Sequence, residues 1–272
     1  MKIGVMQVIL WTFGVRFAFV LSVLVVAALS PGREEDFVVQ VALLSACNLG
    51  ACALFASRRQ GRSWSETFAI RPTSFWLVLL AAALGVAAYL PADALAGSLE
   101  RFWPMDESAR KAHESWFMPR SFSYEVVLFA FVVWIGPFSE DLLFRGALYT
   151  GLRPAHRAAY AVWTTGLLFT IVHDPRAWPA ILPVAMLLGV VRALSGSLWP
   201  PLFLHIAFNA TGFVMRFPHP LGDPSLGIML GLVAVSAVIV GATIWVGRRS
   251  GFAQRARQVD LEPDPGLRES HP

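Results

Sequence analysis

The chain has 272 residues, 56% of them hydrophobic and only 15% charged, with a formal net charge of +4. About 25% charged residues is usual in a soluble domain, so this composition excludes an ordinary soluble globule. It also excludes a nucleic-acid footprint, because the basic residues stand beside apolar runs of about 20 residues, the length of a membrane span, instead of forming one patch.

The pattern is that of an all-α protein, a polytopic bundle of about eight transmembrane helices. The first span runs from about Val8 to Leu29 and contains Arg16, which faces the bundle or marks a bend. Its apolar stretch is longer than a signal-peptide core and more spans follow, so it reads as retained. A Pro31–Asp36 turn leads to a second span, Phe37–Ala56, which ends on Arg58, Arg59 and Arg62. Cys47 and Cys52 lie in it about 140° apart around the helix, which argues against a disulfide between them. Trp64–Arg71 reads as interfacial, and a third span covers Phe75–Leu95.

From Gly97 to Ser121 charged residues alternate with Phe102, Trp103, Trp116 and Phe117, as in a helix lying at the headgroups. His113-Glu114 opens like a zinc-protease HExxH, but Phe117 stands where the second histidine is needed. Span four, Tyr124–Leu152, is interrupted by Gly136-Pro137, which should kink the helix or start a new one just before Glu140. Span five covers Ala158–His173; span six is entered through Pro175, Pro179 and Pro183 and ends near Arg192. Spans seven and eight cover Leu198–Val214 and Leu226–Val246, and a charged tail from Arg248 has a disordered composition.

With the amino terminus inside, Lys2, Arg58, Arg59, Arg62, Arg71, Arg153, Arg157, Arg192 and Arg248 fall on the cytoplasmic side. Three divisions follow: amino-terminal helices and an interfacial region over 1–121, a core over 122–246, and a tail over 247–272. Scarce lysine with abundant Arg, Ala, Val and Leu suggests a GC-rich prokaryotic genome, hence a multi-pass protein of a prokaryotic cell membrane.

Polar groups inside the late spans carry the chemistry. Glu140, Asp141 and Arg145 sit in one apolar helix, where each charge costs about 3 kcal/mol even on a lenient insertion scale. Asp141 and Arg145 share a face, whereas Glu140 is turned by about 100° and aims at other segments. Phe169 and His173 are four apart in span five, and His205 and Asn209 are four apart in span seven. Each pair alone is compatible with interhelical glue of about 1 kcal/mol. Three helices contributing carboxylate, imidazole and amide, at depths that differ by about 10 Å and that helix tilt can bring together, point instead to one site.

Glu140-Asp141-x-x-x-Arg145, Phe169-x-x-x-His173 and His205-x-x-x-Asn209, in that order, resemble the CPBP family of intramembrane proteases. This family includes the type II CAAX prenyl endopeptidases and the bacterial Abi proteins. The likeness covers roughly Phe122–Phe213 and extends to Phe144-Arg145-Gly146, Gly196-Ser197-Leu198-Trp199-Pro200 and Ile70-Arg71-Pro72. One position departs: the family's second glutamate is here Asp141.

The resemblance implies that Glu140 is the general base activating a water and that His173 helps to hold it. His205 and Asn209 would donate to the oxyanion, while Asp141, Arg145 and Phe169 support. It implies a membrane-tethered peptide or protein substrate, with family members acting on prenylated tails, pheromone or bacteriocin-related peptides, or carboxy-terminal sorting signals. Two imidazoles and a carboxylate would also suit zinc; the expectation is a metal-free, cofactor-free reaction. The alternatives are a non-catalytic Abi-like immunity or scaffold protein and a proton-coupled transporter, the latter disfavoured because no repeat of broken helices is present. A rhomboid serine mechanism fits less well, since Ala193-Leu194 precede Ser195 in place of a glycine-led motif.

Overall fold

The computed structural model describes residues 3–33, 35–59, 61–108, 110–111 and 121–215. The described residues are helical with short connections: α1 (Val5–Leu29), α2 (Phe37–Ser57), α3 (Trp64–Phe68), α4 (Phe75–Phe102), α5 (Phe122–Leu152), α6 (Ala158–Ile171), α7 (Trp178–Ser195) and α8 (Trp199–Met215). Five of the segments are long and apolar enough to cross a membrane, so this is a multi-pass membrane protein. The expected eighth span and the 247–272 tail lie outside the described residues.

α1 turns its large apolar side chains outward and smaller or polar ones inward, whereas α5 buries Leu142, Leu143, Phe144 and Leu148 in the core. On α1, Leu10, Phe13, Phe17, Leu21 and Leu24 are exposed, while Val8, Thr12 and Val15 are buried. That inversion suits a lipid solvent, in which Leu gains nothing by leaving the surface and close backbone approach drives association. α1 is one continuous helix, and Arg16 sits half-buried in its middle. Where α1 starts, the Ile3 amide donates to Gly151 O at 3.2 Å, fixing its inner end against the end of α5.

Glycines set the tightest contacts. A Cβ on Gly85 of α4 would lie 2.1 Å from Leu204 O of α8, and one on Gly146 of α5 would lie 3.1 Å from the Phe68 ring. α3 is closed by a reciprocal Ser63–Glu66 cap and ends on Ala69 in the left-handed region, φ 55°. That turn presents Ala69 O to the Leu198 amide at 2.9 Å, while Ser197 Oγ donates to Arg71 O at 2.7 Å. The two familial stretches around residues 70 and 198 are therefore in direct contact.

Three expectations change. Gly136-Pro137 does not start a separate helix, and the distortion around it takes the form of π turns. The segment stays helical from Phe122 to Leu152 by widening into π turns at Ala130–Ile135 and Leu142–Leu148. In the first, the Gly136 amide bonds Phe131 O five residues back, which makes room for the proline ring that an α turn would not accommodate. Arg192 is no cytoplasmic topology marker, since it is 0% exposed inside the bundle. α6 is short: 14 residues rise about 21 Å, less than the roughly 30 Å hydrocarbon layer.

Candidate active site

The second π turn follows immediately after the acidic pair. π turns in helices mark places where side chains are re-aimed. Glu140 and Asp141 close the α-helical stretch between the two π turns, and Ser139 anchors it. Ser139 Oγ donates to Gly136 O at 2.9 Å and accepts from Asn48 Nδ2 of α2 at 3.2 Å. Asn48 is thus a positioning residue the motifs do not reveal; its only sequence signal is an amide within an apolar span.

The two carboxylates have opposite surroundings. Asp141 is fully buried and faces Arg145, with Oδ1 3.1 Å from Nη1, and His205, with Oδ2 3.3 Å from Nδ1. Glu140 keeps some exposure, forms no hydrogen bond among the described residues, and its Oε2 stands 3.9 Å from His205 Nε2. The same imidazole therefore lies between both acids, and its burial leaves them as its polar neighbours on α5. Separating a buried charge pair such as Asp141–Arg145 costs about 3–5 kcal/mol, because the survivor is left uncompensated.

Phe169 is the apolar hub. The Arg145 guanidinium lies over its ring at 4.1 Å, and its centroid is 4.6 Å from the His173 ring and 6.0 Å from the His205 ring. It covers the guanidinium with its ring, meets the His173 ring at a tilt of 46° and meets the His205 ring edge-on at 77°. His173 Nδ1 lies 2.6 Å from Phe169 O; a carbonyl only accepts, so Nδ1 carries the proton and Nε2 of the neutral ring accepts. Trp178 Nε1 donates to His173 O at 2.9 Å and fixes the backbone there.

Asn209 makes its hydrogen bond away from the other five polar groups. Its Nδ2 donates to Val132 O of α5 at 2.9 Å. That carbonyl lies in the first π turn, where the partner five residues on is Pro137, which has no N–H to give. The amide of Asn209 supplies the missing donor and ties α8 to α5, with one N–H left over. Arg192 performs a similar task for the second π turn. Its Nε donates to Arg145 O at 3.1 Å and its Nη2 to Thr150 Oγ1 at 3.2 Å, with the guanidinium 4.7 Å over the Tyr149 ring. Charge counting placed it at the cytoplasmic end of span six, so its role inside the bundle was invisible in the sequence.

The sites expected from the sequence therefore divide in two. Glu140, Asp141, Arg145, Phe169, His173 and His205 converge, whereas Asn209 stands one turn of α8 beyond His205. Zinc would need three ligands about 2.0–2.3 Å from one point. Among the described residues no group of three His, Cys, Asp or Glu side chains is arranged to hold an ion. No step below runs through a metal.

Residues 122–211 match the family model described as type II CAAX prenyl endopeptidase, Rce1-like. The matched segment opens at the first residue of α5 and contains all the residues of the site from Glu140 to Asn209. It agrees with the CPBP resemblance of the three motifs. Searches of the curated proteins and of the solved structures give no match.

Proposed function

From an Rce1-like segment that carries both acids and both imidazoles, we propose that this protein is a glutamate-dependent intramembrane endopeptidase. It cuts a membrane-tethered peptide or the carboxy-terminal region of a protein, in a prokaryotic cytoplasmic membrane. The observation that carries the reading is the inequality of the acids. Asp141 is committed to Arg145 and His205, while Glu140 stands beside an imidazole nitrogen with no hydrogen bond among the described residues. Neighbouring titratable groups in unlike surroundings are the usual arrangement for divided acid and base roles.

The 3.9 Å between Glu140 Oε2 and His205 Nε2 is too long for a direct hydrogen bond and leaves room for a water about 2.8 Å from each. Glu140 takes a proton from that water as its oxygen attacks the scissile carbonyl carbon. His173 Nε2 accepts the water's second proton as a hydrogen bond and so fixes its lone pair toward the substrate. The carbonyl oxygen becomes an oxyanion facing His205 and the spare N–H of Asn209. Since Nδ1 of His205 donates to Asp141, Nε2 donates to the oxyanion when the ring carries both protons. Glu140 then passes its proton to the leaving nitrogen, the C–N bond breaks, and a carboxylic acid and an amine result. One well-placed oxyanion donor contributes about 3 kcal/mol to such a reaction.

The test is hydrolysis of lipid-anchored peptide libraries by the full chain in proteoliposomes. Glu140→Gln, His173→Ala and His205→Ala should each lose activity by a factor of about 100 or more while remaining folded. Exhaustive chelation should leave the wild-type rate unchanged. Turnover by Glu140→Gln, or an apo-protein revived by zinc, overturns the mechanism. Retention of function by all three variants would assign the fold to a scaffold or immunity role.

A further inference from the structure

A groove of about 670 Å³ runs between α1 and α2, spanning Gln7 to Ala18 on one helix and Arg58 to Cys47 on the other. Each stretch rises about 16 Å, half of the roughly 30 Å hydrocarbon layer. Beyond it the two helices meet again, with Ser22 Oγ 3.8 Å from Cys47 Sγ. The groove is therefore one leaflet deep and closed near mid-membrane. Its floor is made by exposed glycines that serve no helix contact. A Cβ on Gly14 or Gly50 would meet nothing within 4 Å among the described residues, whereas one on Gly85 or Gly189 would strike the facing helix. A glycine inside a helix costs about 1 kcal/mol relative to alanine, and here no packing contact offsets it.

The end of the groove at the start of α1 is polar and positive. Trp11 stands edge-on to the buried Phe55 ring, centroids 5.8 Å apart, and the Arg58 guanidinium lies 5.4 Å over the Trp11 ring. Stacking of this kind orients a guanidinium and uses none of its N–H donors. The Arg58 side chain forms no hydrogen bond or ion pair among the described residues. At the same end, Gln7 accepts the Gly4 amide at 3.0 Å through Oε1, which leaves both N–H groups of its own amide to donate. Arg58 is the one cation among the lining residues, and none of them is acidic. Trp and Arg at the end of a span lie at the level of the headgroups.

We propose that this groove binds one anionic glycerophospholipid, its phosphate on Arg58 and Gln7 and one acyl chain along Gly14 and Gly50. The guanidinium fork takes two phosphate oxygens in parallel hydrogen bonds, and a net negative headgroup complements its charge. The acyl chain runs the depth of its own leaflet and supplies the dispersion contacts that the two glycines leave open. The lipid is thereby part of the seam between α1 and α2. The rival occupant, a second copy of this chain, would enclose the guanidinium in a joint to which the groove contributes no acid. The inference does not depend on the endopeptidase reading.

The experiment counts retained lipid and needs no turnover. Full-length protein is equilibrated in nanodiscs of equimolar phosphatidylglycerol and phosphatidylcholine with identical chains, then released into detergent for native mass spectrometry. The wild-type chain should keep one lipid, with phosphatidylglycerol favoured about fivefold. Arg58→Gln should bring the two lipids to near parity. Arg157→Gln, which removes an exposed cation outside the groove, should leave the preference unchanged. Gly14→Leu, for which there is open space, should lose the retained lipid whatever its headgroup. Equal retention of both lipids by the wild-type chain overturns the proposal, as does a preference that survives Arg58→Gln or a lipid that survives Gly14→Leu. A lipid-free dimer that Gly14→Leu disperses assigns the groove to a second copy and overturns it as well. Should Arg58→Gln fail to fold, the wild-type and Gly14→Leu proteins decide.

Discussion

Replacing Asn209 by Leu removes the donor that holds Val132 O at 2.9 Å. Because Pro137 has no N–H, that carbonyl then has no partner in its π turn and sits in a lipid-bounded interior. A buried carbonyl left unpaired costs about 1–3 kcal/mol, while interhelical hydrogen bonds inside membranes average about 0.6 and reach about 1.7. The expected loss is therefore about 1–2 kcal/mol. Pro137→Ala restores an N–H five residues from Val132, so in that background Asn209→Leu should cost less than about 0.5 kcal/mol. The assay is a double-mutant cycle by reversible unfolding in mixed micelles or bicelles. A coupling near 1 kcal/mol is expected; additive effects of the two changes would refute the assignment of Asn209 as the proline's substitute donor. Hydrolysis separates the second role of the same residue: the double variant should regain stability but not activity.

Gly85→Ala should drive α4 from α8, because its Cβ would lie 2.1 Å from Leu204 O, adjacent to His205. A destabilisation of about 1–3 kcal/mol is expected, with up to a 100-fold loss of activity from a shift of about 1 Å at the imidazole; peptide hydrolysis normalised to folded protein measures it. Arg145→Met leaves Asp141 buried without its cation and should cost about 3–5 kcal/mol, read as a lower denaturation midpoint. Arg192→Met should release the Arg145 carbonyl and Thr150, costing about 1–3 kcal/mol and lowering activity without touching substrate. Outside the spans, the Ser63 amide and hydroxyl hold the Glu66 carboxylate below its ordinary range. The α3 cap is thus fully stabilised at neutral pH and weakens as pH falls through that lowered range. The protection of α3 amides, taken against the intrinsic exchange rate at each pH, should fall on acidification, and should be low at both pH values in Ser63→Ala.

The long spans were legible because lipid imposes one requirement, about 20 apolar residues per crossing, that few other structures satisfy. The Asp141–Arg145 pair followed from a spacing of four, and the structure puts those groups 3.1 Å apart. Glu140 aimed away from its own helix for the same geometric reason. The π turns were not legible, since a shift from fourth- to fifth-neighbour bonding leaves the apolar pattern almost unchanged. The form of the distortion at the proline was not legible, because the widened turn that accepts it takes a donor from Asn209, 72 residues further on. Arg192 was misassigned because the charge rule treats every arginine near a span end as wet, whereas its donors are taken up by Arg145 O and Thr150. Arg16 was visible as an anomaly, but how far it is buried depends on how α1 docks on α2.

The most direct test compares peptide termini in cells carrying the wild-type chain and cells carrying Glu140→Gln at equal abundance. Mass spectrometry of the membrane and released pools should find a set of new carboxy termini, paired with short released fragments, that is present only with Glu140. Identical termini in both would mean that the carboxylate at position 140 activates no water, and the hydrolytic account would be wrong.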